Sequence, residues 1–93
     1  MTDYARLHGY VSGRVQGVGF RYFVEDAAGQ YKLTGWVKNL FDGKVEFAAE
    51  GPKGLLADFL KDVSRGPITG HVSNVDAKWE NYTGEFEKFT IKF

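Results

Sequence analysis

The chain has no cysteine, two prolines, one methionine and two histidines. Without cysteine there is no disulfide framework and no thiolate chemistry. His8 and His71 are the only imidazoles, and no Asp/Glu/His group stands at ligand spacing, so neither a zinc nor a magnesium site is expected. An excess of one charge is also missing: 12 Lys plus Arg balance 12 Asp plus Glu, for a formal net charge of +0. That balance argues against a chain that captures nucleic acid electrostatically. No apolar run approaches the length that crosses a bilayer. The opening residues, MTDYARLH, carry an early acid and no apolar segment, so they do not read as a signal peptide. A cytoplasmic protein follows, with no membrane and no nucleic acid as partner.

What is present is apolar and aromatic. Hydrophobic residues make up 43% and aromatic residues 16%, with 8 Phe, 5 Tyr and 2 Trp in 93 residues. That is enough for one core and one domain, spanning 1–93. Alternation marks a first strand over Tyr4–Ser12, with Leu7, Gly9 and Val11 on one face. Phe20, Phe23, Val24, Ala27, Ala28 and Tyr31 fall at helical spacing and predict a helix over Phe20–Tyr31, with Gly29 near its stop. Leu33–Leu40 and Lys44–Glu50 alternate around Asp42-Gly43, a strong hairpin signal. In the second of these strands Val45, Phe47 and Ala49 face the core, and Glu46, Ala48 and Glu50 face water. Leu55, Leu56, Phe59, Leu60 and Val63 predict a second helix over Lys53–Val63, followed by a Gly/Pro loop. His71–Trp79 and Glu85–Phe93 read as two further strands, the last with Phe89, Ile91 and Phe93 on one face.

The order is strand, helix, strand, strand, helix, strand, strand. Two helices separated by strand pairs favour one antiparallel sheet with both helices on one face. The expected fold is therefore α+β: a ferredoxin-like β-α-β-β-α-β sandwich with an additional C-terminal strand. Strands one and three should lie in the middle of the sheet.

The chemistry concentrates in Gly13–Arg21, GRVQGVGFR. Three glycines in seven residues separate the first strand from the first helix. Gly17 and Gly19 permit positive φ, so the amides from Val15 through Gln16, Gly17, Val18 and Gly19 to Phe20 can converge on one anion at a helix start. Arg21, just inside the helix, offers a planar fork of donors suited to phosphoryl oxygens. On the glycines alone, a tight turn ending in a solvated arginine explains the pattern equally well. No G-K-[S/T] follows, so it is not a P-loop. A hairpin follows the helix, so it is not a dinucleotide fingerprint.

Asn39 ends the second strand on the face of Leu33 and Val37. Its ordinary explanation is an Asx turn, and by itself that explanation ranks first. Beside an anion loop its amide has a second use. The carbonyl accepts a bond from water while the NH₂ donates to the phosphoryl group. The remaining polar residues read more simply. His8 and His71 are surface or edge-strand residues, Asp42 a turn residue, Glu46 and Glu50 a solvated face, and Lys88 and Lys92 protect an exposed edge. Trp36 and Trp79 are packing residues.

These residues carry a resemblance. Gly13–Arg21 resembles the first signature of the acylphosphatase family. Gly35-Trp36-Val37-Lys38-Asn39 with Asp42-Gly43-Lys44-Val45 and Gly51 is similar to the second. The likeness covers essentially the whole chain, including the Gly66-Pro67 loop, the Val72–Val75 region and the aromatic C-terminus. It implies the ferredoxin-like sandwich already expected. It also implies hydrolysis of acyl phosphates to a carboxylate and inorganic phosphate, with no metal and no cofactor. Residue by residue, it puts the essential arginine on Arg21, the essential asparagine on Asn39 and the phosphate-cradling loop on Val15–Phe20. A monomer acting on a small molecule is the expected form.

Three other readings share the element order. An RNA-recognition motif stacks bases on aromatics of its central strands, whereas Lys44–Glu50 offers only Phe47, flanked by acids. A regulatory domain that binds an anion without turning it over is the second. The third is a carbamoyl-phosphate-handling domain of a larger maturation protein, against which the chain length and the missing zinc-finger cysteines weigh.

Overall fold

The computed structural model describes residues 2–93. The elements run β1 (Tyr4–Arg14), α1 (Phe20–Gln30), β2 (Thr34–Asn39), β3 (Val45–Pro52), α2 (Lys53–Arg65), β4 (His71–Asn81) and β5 (Phe89–Lys92). They form one five-stranded sheet in the order β4-β1-β3-β2-β5, with β1 and β3 inside as expected. The β1–β3, β1–β4 and β2–β3 ladders are antiparallel, and the added β5 pairs parallel to β2. Both helices cover the same sheet face: Phe20, Val24, Ala27 and Ala28 of α1 and Leu56, Phe59 and Val63 of α2 share one core with Leu7, Val11, Val37, Val45 and Phe47. No helix among the described residues is long and apolar enough to cross a membrane.

Gly9 shows why a glycine stands inside the most central pair of strands. A Cβ there would lie 2.6 Å from the Phe47 ring, which crosses over position 9 as its partner in the β1–β3 ladder. The ring fills the core above the glycine and meets Phe59 of α2 edge-on at 5.5 Å between centroids. Aromatic pairs of this geometry add about 0.5–1.5 kcal/mol beyond the area they bury.

Several expectations need correction. Gly29 does not stop α1. The left-handed residue is Lys32, at φ 55°, and the Leu33 amide reaches back to the Ala28 carbonyl at 2.9 Å, closing the helix in a Schellman-type cap with a lysine where glycine is usual. The last strand is half the expected length, because residues 85–88 are spent crossing from the β4 edge to the β2 edge. Phe93, expected on one face with Phe89 and Ile91, is 91% exposed. Trp36 and Trp79 pack outside the core. Trp36 lies on the open sheet face, with the ammonium groups of Lys38 and Lys92 5.3 and 4.6 Å from its ring, and Trp79 stands on the outer strand β4, 5.1 Å from that of Lys53.

Glu50 is the largest departure. It shares the outward side of β3 with Glu46, yet it is 1% exposed. The chain leaving β4 folds over it: Thr83 N, Thr83 Oγ1 and Gly84 N donate to its carboxylate at 2.9, 2.8 and 3.0 Å. Arg6 lies 3.8 Å away, itself held by Glu80, Glu85 and the ring of Phe86. A carboxylate with three donors is a satisfied buried group, and it pins the crossover that delivers β5 to β2. Glu50→Ala strands three donors and is expected to destabilise the fold by about 2–4 kcal/mol. A calorimetric Tm within 3 °C of the parent, where a loss of roughly 10 °C or more is expected, contradicts this role.

Candidate active site

β1 pairs with β3 as far as Val11 opposite Val45 and with β4 as far as Arg14 opposite His71; from Val15 the chain leaves the sheet and makes an irregular loop before α1. Gly17 and Gly19 adopt φ of 74° and 76°, and a Cβ at either would touch no protein atom within 4 Å. The glycines are there for backbone conformation, not for room. Gly19 is the N-cap of α1, left-handed, with no side chain capping the helix. The first helical hydrogen bond is Phe23 N to Gly19 O, 3.1 Å. The amides of Phe20, Arg21 and Tyr22 therefore have no intrahelical acceptor and no capping side chain. Together with the helix dipole, this is an anion-binding arrangement.

The helix start opens into a cavity of about 90 Å³ lined by Val15, Gly17, Gly19, Phe20, Arg21, Tyr22 and Asn39. A cavity of this size takes a small polyatomic group. Larger clefts exist, such as one of about 510 Å³ between the first residues of β1 and Trp79–Tyr82. Size does not mark the site. The small cavity is the one that combines an uncapped helix start, a guanidinium and an amide.

Arg21 does not wave in solvent. Its Nη1 donates to the Lys92 carbonyl at 3.3 Å, and its guanidinium carbon lies 4.7 Å over the centre of the Phe93 ring. The last two residues of the chain thus hold the arginine from behind, and the parallel β2–β5 pairing brings them there. The alternation put Phe93 on one face with Phe89 and Ile91 and gave no sign of this role. The available signal was an aromatic residue continuing the period of what proves to be an edge strand.

Asn39 does not form the Asx turn. That bond belongs to Asp42, whose Oδ1 accepts from Lys44 N at 3.0 Å. Asn39 Oδ1 is buried and accepts no hydrogen bond from the protein. An unpartnered buried acceptor costs free energy, about 1–3 kcal/mol, and is retained where something else binds it.

Two residues of the expected phosphate loop do not line the cavity. The Gln16 side chain turns to the β2–β3 hairpin, donating to the Leu40 and Lys44 carbonyls at 2.7 and 2.9 Å. The Val18 carbonyl accepts from Thr69 Oγ1 at 2.8 Å, which braces the loop against the segment after α2. His8 lies well away, bonded through Nε2 to Glu46 at 2.6 Å on the open face of the sheet. Among the described residues no three His, Cys, Asp or Glu side chains group as metal ligands.

The family model described as Acylphosphatase matches residues 7–91. This chain belongs to the acylphosphatase family. Among curated relatives, the acylphosphatase of Pelotomaculum thermopropionicum is 44% identical over 89 residues, covering 96% of this chain and 97% of the relative. That of Bacillus licheniformis is 47% identical over 83 residues, covering 89% and 92%. The crystal structure of acylphosphatase from Bacillus subtilis has a TM-score of 0.92 and 40% identity, covering 96% of this chain and 99% of that one. The reaction that goes with membership is hydrolysis of acyl phosphates, and the family's fold is the one described above.

Inorganic phosphate should titrate the amides of Gly17, Gly19 and Phe20 in a ¹⁵N-¹H spectrum, with saturable shifts. Saturation confined to residues outside 15–22, with both glycines still, would move the anion elsewhere.

Proposed function

We propose that this chain hydrolyses acyl phosphates by gripping the phosphoryl group with the Val15–Phe20 loop and Arg21, while Asn39 holds the attacking water. The observation that carries this reading is the small cavity in which Asn39, whose Oδ1 has no partner in the protein, stands beside Arg21 and the uncapped start of α1. Loop amides and the guanidinium meet the phosphoryl oxygens, whose charge they stabilise as the bond to the leaving group breaks. The Asn39 carbonyl accepts a hydrogen bond from a water, and its NH₂ donates to a phosphoryl oxygen, so the water oxygen faces phosphorus.

The water oxygen bonds to phosphorus as the bond from phosphorus to the acyl oxygen breaks. The carboxylate departs with the electron pair, and the water's proton passes to a phosphoryl oxygen, giving inorganic phosphate. A carboxylate is stable as an anion near neutral pH, so no general acid is required. Hydrolysis needs no metal on this reading. The working form is a single 1–93 domain, monomeric and cytoplasmic, with no nucleic-acid or membrane partner.

The two side chains separate kinetically. Arg21→Gln should weaken phosphate inhibition tenfold or more and also lower kcat, and lysine should substitute poorly because it lacks the planar fork. Asn39→Ala should lower kcat on the order of 10²–10³, as loss of a preorganised polar group does, with phosphate affinity within a few-fold of the parent. Full kcat from a folded Asn39→Ala protein removes the water-holding role. Chelation supplies a further check: activity on a simple aryl acyl phosphate should be unchanged by EDTA. Loss of turnover restored by one divalent ion overturns the metal-free route.

A further inference from the structure

The two halves of the site are built on different parts of the chain. The phosphoryl cradle belongs to the β1–α1 loop and the first turn of α1; Asn39 belongs to the end of β2. Sheet pairing stops short of joining them. Asn39 pairs with Val45, and Val45 with Val11, but the loop begins four residues beyond Val11. Among the described residues no backbone hydrogen bond runs from Val15–Gly19 to the β2–β3 hairpin.

One side chain makes that connection. Gln16 Nε2 has two hydrogens, and both are used: one toward the Leu40 carbonyl at 2.7 Å, the other toward the Lys44 carbonyl at 2.9 Å. These carbonyls form the neck of the hairpin. The Lys44 carbonyl also accepts from Leu40 N at 2.8 Å, and the Leu40 carbonyl from Gly43 N at 3.2 Å. The amide therefore completes a closed set of bonds at the neck. Gln16 is flanked by Val15 and Gly17, which line the cavity, and Leu40 directly follows Asn39. The arm on each side is a single residue, so a displacement of the hairpin relative to the loop appears almost undiminished at the Asn39 amide.

We propose that Gln16 is a positioning residue: its carboxamide fixes the Asn39 amide in register with the phosphoryl cradle. This rests on the reading that Asn39 holds the attacking water. The Gln16 side chain acts through hairpin carbonyls and touches neither water nor phosphoryl group. Catalysis by placement is steep in distance, since a misplacement of about 1 Å costs on the order of 10² in rate.

The test compares Gln16→Ala and Gln16→Glu with the parent, reading kcat, KM and phosphate inhibition from about pH 5 to pH 8 beside thermal unfolding. Gln16→Ala should lower kcat by roughly 10–100-fold and leave phosphate inhibition within about threefold. Gln16→Glu sets a carboxylate against two carbonyl oxygens at high pH, but its protonated form regains one donor. Its kcat relative to the parent at the same pH should therefore rise as pH falls toward the ordinary glutamate value near 4.3, while the Gln16→Ala ratio stays flat. A generic packing loss gives no such pH-dependent rescue. The double variant Gln16→Ala/Asn39→Ala should be no slower than Asn39→Ala alone, because the first residue works through the second. A slow Asn39→Ala with fully additive losses in the double variant overturns the positioning role and leaves the water-holding reading intact. A full-rate Asn39→Ala overturns both. Full kcat in folded Gln16→Ala, or a flat Gln16→Glu ratio, overturns the positioning role by itself.

Discussion

A helix that starts without a cap is the constraint on which the rest of this molecule is arranged. Amides at the beginning of α1 have no acceptor within the helix, and Gly19 brings no side chain to supply one. Most helices answer with serine, threonine or aspartate, which close the end at a gain of about 1 kcal/mol. Here a closing side chain would occupy the position proposed for the anion. Two left-handed glycines turn the chain so that the donors face a cavity instead of the protein, and the chain forgoes the cap.

The consequences spread outward from that choice. The helix dipole contributes only about 0.3–1 kcal/mol per charge at an exposed end, so the cradle needs a full positive charge beside it. Arg21 provides it, and a freely rotating arginine loses up to about 2 kcal/mol of rotamer entropy when it is fixed. The structure fixes it beforehand, with the Lys92 carbonyl on one side and the Phe93 ring beneath. Those residues are in reach because β5 runs parallel to β2, and β5 is there because the crossover from β4 is held by the buried carboxylate of Glu50. A structural glutamate at one end of the sheet thus supports a guanidinium at the other.

Much of this was legible before any coordinates. Alternation found β1 to β4, the apolar stripes found both helices, and the glycine turn with Arg21 and Asn39 marked the cavity that the structure assembles. What escaped detection shares one physical character: it depends on which segment covers a residue, not on the residue's own neighbours in sequence. Glu50 alternates with core residues and reads as solvated until Thr83 and Gly84 fold over it. Phe93 continues the period of Phe89 and Ile91, but the core ends before it. Asn39 and Asp42 both suit an Asx turn, and only the hydrogen bond to Lys44 N assigns it to Asp42. Gln16 looked like one more residue of the loop because nothing local says that its amide spans to a hairpin more than twenty residues away.

The sparseness of the site follows from the chemistry of the leaving group. In the proposed reaction the departing oxygen belongs to a carboxylate, whose conjugate acid has a pKa near 4. An alkoxide leaving group, by contrast, requires protonation or a metal as the bond breaks. Removing that demand removes the need for a general acid; the residues lining the cavity bring a guanidinium, an amide, backbone donors and Tyr22, with no carboxylate or imidazole. What remains is to hold three things in line: phosphorus, the leaving oxygen and a water. Donors fixed before the substrate arrives do this without reorganising during the reaction. A small sheet with two helices has the rigidity for that task only where its loop and hairpin are tied together, and the Gln16 carboxamide is the side chain that spans the two.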